Sequence, residues 1–187
     1  MAYLYEKYKK EAVPALMKQF GLSNRMQVPR IEKVVVNCGF GRMISGKTKD
    51  EQKKIQEAIT RDLTQICGQK AVVTRARKSI SSFKIREGQN IGVKVTLRRK
   101  RMYDFLERVI IMALPRSRDF GGISTKGIDQ NGNLTFGIKE HIAFPEISPE
   151  KISFIFSFEI TVVTTAQNKE KGTALFKLLG FPLKTEK

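Results

Sequence analysis

Cysteine and histidine are scarce in this sequence, which has 187 residues and no tryptophan. Its two cysteines, Cys38 and Cys67, form no Cys-x-x-Cys pair, so the pattern excludes a disulfide framework and a zinc set and favours a reducing compartment. The one histidine, His141, lacks the spacing of a Ser-His-Asp triad, and no close pair of carboxylates suggests acid–base catalysis. We therefore expect no enzyme, no metal site and no cofactor, and we expect His141 to be a surface or partly buried imidazole.

Long apolar runs are also missing. No uncharged stretch approaches the ~20 apolar residues that cross a bilayer, so we expect no transmembrane helix. The start, Met1 to Lys7, becomes charged at once and has no secretory apolar region, and we expect a cytoplasmic protein. With 41% hydrophobic and 28% charged residues the composition is typical of a folded protein, and the length suits a single domain over residues 1–187.

Acidic residues are few: there are 18, against 35 Lys or Arg, which gives a formal net charge of +17. Between residues 70 and 101 there are eleven Lys or Arg and a single acid, Glu87. So many like charges repel one another, and a surface that only aids solubility mixes both signs. The segment 70–101 therefore predicts a surface for a polyanion.

Hydrophobic periodicity divides the chain into helices and strands. Helices are predicted at 3–20, 47–66, 103–114 and 173–179, and strands at 31–37, 71–74, 91–98, 134–138 and 152–165. Pro14 predicts a kink or a second start within the first helix, and Pro115 closes the third. Because there is no regular βαβ alternation, we predict an α+β fold, a mainly antiparallel sheet with helices packed on one face. The other face is then open to a partner, and strand 91–98 turns Lys94, Thr96 and Arg98 towards it.

A basic loop over residues 74–86 connects two of these strands. It interleaves Arg75, Arg77, Lys78, Lys84 and Arg86 with Ser79, Ser81 and Ser82. Cations neutralise phosphates, and hydroxyls donate to phosphate or ribose. Phe83 either stacks on a base or anchors the loop in the core, and we favour the anchor.

A second basic cluster begins the third helix and consists of Arg98, Arg99, Lys100 and Arg101. Positive charge opposes the dipole at a helix N-terminus. This placement therefore indicates an external anion more than it serves the fold.

One phosphate-loop pattern occurs in the chain. Gly41 to Thr48 matches Gly-x-x-x-x-Gly-Lys-Thr, a sequence that cradles phosphate in nucleotide-binding proteins. Such a loop belongs to a parallel sheet with a downstream acidic magnesium ligand, and neither is evident here. We interpret it as a strand-to-helix turn, with nucleotide binding as the alternative.

Several motifs follow one another along nearly the whole chain. They are Met26–Lys33 (MQVPRIEK), Asn37-x-Gly39-x-Gly41, Ala76–Arg86 (ARKSISSFKIR), Lys94–Arg98 (KVTLR), Arg118-Asp119-Phe120 and Phe144–Ile147 (FPEI). Together they resemble the universal large-subunit ribosomal protein 5 family, which carries 5S ribosomal RNA. The sequence departs from the family pattern at Arg99-Lys100, Gly121, Asp129–Gly132 and Ser157, and residues 42–54 are longer than is typical.

The resemblance implies a non-catalytic, RNA-binding constituent of the large ribosomal subunit. Family positions that contact 5S RNA correspond to Asn37, Gln69, Thr96 and Arg98, and the added cations Arg99, Lys100 and Arg101 extend that ribosomal RNA surface. The basic loop corresponds to a projecting loop in the family, so Arg75, Arg77, Lys78 and Lys84 would approach transfer RNA in the peptidyl site. The family also contacts large-subunit RNA at the central protuberance and bridges to a small-subunit protein.

Two other classes stay open on the residues alone. An enzyme acting on RNA would need a carboxylate cluster for metal or a histidine base. A peripheral membrane protein would need an amphipathic helix with a basic polar face, and only residues 3–20 come near that.

Overall fold

A five-stranded sheet organises the structure, a computed structural model that describes residues 3–118, 120–148, 152 and 154–184. Its strands are β1 (Ile31–Gly39), β2 (Val72–Arg75), β3 (Asn90–Leu97), β4 (Leu134–Ile138) and β5 (Phe158–Thr164), in the spatial order β2-β3-β1-β5-β4. The α-helical segments are α1 (Tyr3–Lys7), α2 (Val13–Phe20), α3 (Gly41–Ile44), α4 (Lys49–Cys67), α5 (Arg99–Arg108), α6 (Leu114–Arg116) and α7 (Lys169–Leu179). The sheet is antiparallel with helices packed against it, which confirms the predicted α+β fold.

The strands bury one face and expose the other. In β1, Val34, Val36 and Cys38 are buried, whereas Asn37 and Gly39 are exposed. Strand β5 buries every second residue in the same way, from Phe158 to Thr164. The sequence alternates with period two because side chains of a strand point to opposite faces in turn. An apolar core therefore forms on one face and leaves polar side chains on the other.

The chain divides into two compact units. One consists of the residues up to Val35, Leu97–Phe136 and the residues from Ile160; the other consists of Val36–Thr96 and Gly137–Glu159. We call them the first and second unit. Strands β1, β3, β4 and β5 contribute residues to both.

In the first unit, helices α1, α2, α5 and α7 pack on one another. The rings of Tyr5 and Tyr103 lie 5.0 Å apart, and Leu4 and Leu16 are almost fully buried. Asn168 caps α7 by accepting from the backbone N–H of Lys171 at 2.9 Å. The apolar side of the N-terminal helix is therefore used within the fold.

Two prolines sit inside continuous helix in the first unit. A π-helical turn, Tyr8–Ala12, precedes Pro14, and another, Val109–Ala113, precedes Pro115. In each, the N–H of the residue before proline donates to the carbonyl five residues back, on Tyr8 and Val109 respectively. Proline lacks an N–H and its ring crowds the carbonyl four residues back, and the wider turn relieves both. Pro115 therefore does not close its helix, which continues to Arg116.

In the second unit, α4 is bounded as the sequence predicts. Thr48 and Glu51 form a capping box, and Gly68 ends the helix in the left-handed conformation. Leu63 and Ile66 are fully buried. The helix is fixed to β3 by a hydrogen bond of 2.7 Å from Asn90 Nδ2 to Gln56 Oε1.

Three element boundaries differ from prediction. Helix α5 begins at Arg99, and α7 begins at Lys169, each several residues before the predicted start. The strand predicted at 152–165 is regular only over Phe158–Thr164. The chain after β4 turns into a 3₁₀ segment, His141–Ala143, and the His141 N–H donates to the Phe156 carbonyl at 3.2 Å, so no strand is left to pair further back. Ser153 of that predicted strand and Asp119 of the Arg-Asp-Phe motif lie outside the described residues.

Candidate nucleic-acid interface

The second unit exposes a polar face of the sheet. On β3 the side chains of Val93 and Val95 are buried, whereas Lys94 is exposed and Thr96 is partly exposed. Asn37 is exposed on the neighbouring strand β1. The predicted residues Asn37 and Thr96 are thus both accessible on adjacent strands, with Lys94 supplying positive charge.

Gln69 lies just after α4 and is engaged with the backbone of β3. Its Nε2 donates to the carbonyl of Thr96 at 3.0 Å. This bond fixes the end of α4 to the strand that carries two of the predicted contacts. The Oε1 atom of the same carboxamide is a separate acceptor.

The first unit carries the Arg98–Arg101 cluster. Arg98 is the residue before α5, and its Nη1 lies 3.7 Å from Oε1 of Glu32, with both side chains about half exposed. Exposed pairs of this kind stabilise a fold by roughly 0–1 kcal/mol, so Arg98 can exchange Glu32 for a phosphate at little cost. Arg99, Lys100 and Arg101 are exposed. No side chain caps the helix, so its first N–H groups add to the positive potential.

Arg99 has a left-handed backbone, with φ of 53°. This conformation suits glycine and strains other residues. The family pattern has glycine more commonly at this position, so the substitution adds a cation while keeping a glycine-type backbone.

The basic loop has an ordered internal structure. Ile80 and Ile85 exchange two backbone hydrogen bonds, of 3.0 and 3.2 Å, around a 3₁₀ turn at Ser81–Phe83. Ser79 Oγ accepts from the N–H of Glu87 at 2.9 Å. All four predicted cations are exposed: Arg75, Arg77, Lys78 and Lys84.

Phe83 is not the core anchor that we expected. It is 58% exposed at the turn, beside Ile80, which is 45% exposed. The Ile80–Ile85 pairing and the Ser79 bond hold the loop instead, so backbone hydrogen bonds replace the expected packing of the ring. The ring is left free to meet a partner.

The Gly41–Thr48 segment is a strand-to-helix turn. Residues Gly41–Ile44 form α3, and the Thr48 hydroxyl is occupied by Glu51, whose Oε2 lies 2.9 Å away. The sheet that precedes it is antiparallel. The segment therefore lacks the setting of a nucleotide-binding loop.

His141 is fully buried, which corrects the expectation of a surface or partly buried ring. It stacks on Phe156 with 4.1 Å between ring centroids, and its Nε2 lies 3.8 Å from Oδ2 of Asp62. Burial lowers the pKa of His141, and the Asp62 carboxylate opposes that effect. In the part of the chain that the structure describes, no group of three His, Cys, Asp or Glu could hold a metal ion, and no helix is long and apolar enough to cross a membrane.

A groove on the exposed sheet face was missed by the sequence analysis. It has a volume of about 460 Å³ and is lined by Asn37, Gly39, Gly137, Lys139, Ser157 and Glu159 over the buried Ile138 and Phe158. The polar residues recur at every second position of three strands or their extensions, which is the signal that could have revealed it. Beneath it, burial raises the pKa of the Cys38 thiol to about 12, and the thiol donates to the Ser157 carbonyl at 3.3 Å.

Comparison with known proteins agrees with this geometry. The family described as "Ribosomal protein L5" matches residues 24–86, and the C-terminal part of the same ribosomal protein family, described separately, matches residues 90–183. The chain belongs to the ribosomal protein L5 family. The protein named "Large ribosomal subunit protein uL5" from Caldanaerobacter subterraneus subsp. tengcongensis is 52% identical, over 97% of this chain and 98% of its own. Proteins of the same name from Desulfotalea psychrophila and Fervidobacterium nodosum are each 50% identical, over 98% and 100% of this chain and 99% and 100% of their own.

Membership in the L5 family makes the chain a structural constituent of the large ribosomal subunit, with ribosomal RNA and ribosomal proteins as partners. The family is one of ribosomal proteins and not of enzymes, so the expected non-catalytic role in translation is confirmed. The relatives are bacterial, which agrees with the expected place on the cytoplasmic ribosome.

Proposed function

We propose that this L5-family chain binds 5S ribosomal RNA and attaches it to the central protuberance of the large subunit, with no chemistry performed. In the second unit the contacts are Asn37, Gln69 and Thr96. In the first unit they are Arg98 and the added cations Arg99, Lys100 and Arg101. We infer that residues 1–187 act as one RNA-binding module.

The accessible, largely unneutralised charge of segment 70–101 carries this proposal. Its exposed cations face one acid in the segment, and Arg98 has only a long, half-exposed pair with Glu32. Phosphates that displace counterions from such a surface gain most of their binding free energy from it. Folded RNA is read through phosphates, 2′-hydroxyls and unpaired bases, which suits Lys94 and Thr96 on an open sheet face.

The basic loop serves a second RNA in this proposal. Arg75, Arg77, Lys78 and Lys84 contact the backbone of transfer RNA in the peptidyl site, and the loop projects towards it. The exposed ring of Phe83 supports stacking on an RNA base, because an unpartnered aromatic among cations is a common platform for nucleic acid. The chain also contacts large-subunit RNA and bridges to a small-subunit protein.

A column experiment tests the main proposal. The purified protein is mixed with labelled 5S RNA and Mg²⁺ and passed through a size-exclusion column at moderate salt. We expect intact RNA to elute with the protein. Progressive RNA cleavage would support the enzyme alternative instead. Failure to retain RNA combined with binding to anionic vesicles would support the membrane alternative.

A further inference from the structure

Two glycines of the second unit have no role in the fold. Gly39 and Gly137 lie in strands β1 and β4, and neither has a positive φ. A Cβ added to Gly39 would meet nothing within 4 Å, and one added to Gly137 would meet only the Phe158 carbonyl oxygen at 4.0 Å. Glycine weakens a strand, because it has no side chain to pack and loses more entropy on folding.

Gly92 on β3 provides a contrast. A Cβ there would lie 2.7 Å from Thr74 Oγ1 and 3.0 Å from the Cys38 carbonyl oxygen, so packing requires glycine. No such demand exists at Gly39 and Gly137. Glycine in a strand without a packing reason marks a place where a ligand approaches the backbone. Both positions line the 460 Å³ groove, a volume within the roughly 300–1,000 Å³ typical of sites for small ligands.

The rim of the groove offers both hydrogen-bond donors and acceptors. Asn37, Lys139, Ser157 and Glu159 are exposed, and among the described residues none of their side chains has a hydrogen bond or ion pair. An amide, an ammonium group, a hydroxyl and a carboxylate thus surround a floor without side chains. Such a set can recognise a flat polar group laid against the strands.

Glu159 determines which part of an RNA fits. A carboxylate repels phosphate, so the groove is unsuited to the RNA backbone and suited to a group that donates hydrogen bonds. Guanine presents two adjacent donors, N1–H and the 2-amino group, which a carboxylate accepts side by side. Its O6 and N7 atoms accept from lysine or from an amide, here Lys139 or Asn37. Adenine and cytosine each offer a single amino group on the corresponding edge.

We infer that this groove holds one unpaired guanosine of ribosomal RNA, with Glu159 reading its Watson–Crick edge and Lys139 its O6 side. The inference rests on the proposed RNA-binding function and specifies the nucleotide that this part of the surface takes. Single-stranded RNA is commonly recognised in this way, by bases turned out of the helix.

The first test uses the wild-type protein and short RNA. Decamers of uridine carrying one central guanosine, inosine, adenosine or cytidine are compared at low salt by fluorescence anisotropy. Inosine retains N1–H and O6 and lacks only the 2-amino group. We expect guanosine to bind roughly tenfold more tightly than inosine and than the other two. Equal affinities for all four decamers would overturn the inference.

The second test uses Glu159→Gln, with Glu170→Gln as a control that removes an equally exposed carboxylate on α7. Loss of a negative charge alone should strengthen binding to RNA. A glutamine offers one acceptor and one donor and cannot accept both guanine protons, so we expect the guanosine–inosine ratio to fall to about one in E159Q. The control keeps the wild-type ratio. An unchanged ratio in E159Q would refute the role of Glu159.

The third test is Gly137→Ala, which fills the groove floor. We expect its urea midpoint to be unchanged or raised, and its affinity for the guanosine decamer to fall at least several-fold. A lowered midpoint would show that the fold needs this glycine, and intact affinity would show that the floor is not occupied; either result contradicts the inference. If wild-type protein retains 5S RNA but ignores guanosine, only the groove assignment fails. If it prefers guanosine but does not retain 5S RNA, the proposed function fails.

Discussion

Arg98 is held by a single long contact, 3.7 Å to Glu32, and half of its side chain is exposed. A guanidinium so placed is available to phosphate, and hydrogen bonds to charged groups stabilise a complex more than neutral ones do. We predict that Arg98→Ala weakens 5S RNA binding by about 1–3 kcal/mol, measured by filter binding at fixed salt.

Two variants control for charge. Arg116→Ala removes an exposed arginine of α6 and should weaken binding much less. Glu32→Gln removes the competing carboxylate and should leave the affinity unchanged or raise it. Equal losses in R98A and R116A would mean that Arg98 contributes only to net charge.

His141 predicts a pH dependence of stability. Burial lowers its pKa below the ordinary 6.5, so the unfolded chain takes up a proton that the folded chain resists. The free energy of unfolding should therefore be highest above pH 6.5 and should fall as the pH drops below it. Urea unfolding followed by circular dichroism between about pH 7.5 and 5 checks this, and His141→Phe, which keeps a ring on Phe156, should flatten the profile. The same slope in both proteins would contradict the assignment.

At this scale the sequence predicts charge well and burial poorly. Arg75, Lys78 and Arg99 are exposed as their type predicts. The sequence cannot show that His141 is enclosed by Phe156 and Asp62, nor that Phe83 remains outside, because both depend on residues far along the chain. The role of Gly39 and Gly137 is hidden for the same reason.

The basic loop is the element whose function is most separable. Its cations lie on a hairpin-like turn closed by Ile80 and Ile85. We predict that Arg77→Ala/Lys78→Ala weakens binding of transfer RNA to the ribosomal peptidyl site and spares 5S RNA binding. The control Lys53→Ala/Lys54→Ala removes the same charge from the exposed side of α4 and should affect neither. Loss of 5S binding in the loop variant would show that the two surfaces are wrongly divided.

Regular elements were predictable where local signals are strong. Thr48, Glu51 and Gly68 mark both ends of α4, and period-two alternation marks β3. Prediction was wrong where a neighbour decides. The strand before Phe158 ends because the chain at His141 turns away, and α5 starts at Arg99 despite an unfavourable run of cations. The helix continues through Pro115 because a π turn accommodates the ring, which no local pattern indicates.

For the whole molecule, the order of helices and strands was enough to predict an α+β fold, since it lacks regular βαβ alternation. The strand order β2-β3-β1-β5-β4 was not predictable, because pairing depends on contacts distant in sequence. That order brings the exposed positions of β1, β5 and β4 side by side and so creates the groove. Charge distribution, by contrast, is fixed by composition and identified the partner class directly.

The salt dependence of 5S RNA affinity tests the central claim, that the net charge of +17 and its concentration in segment 70–101 exist to meet RNA phosphates. If about 6–10 phosphates are neutralised, the affinity should fall about 10³–10⁵-fold between roughly 50 and 200 mM salt, measured by filter binding. An affinity that hardly changes over this range would contradict the account.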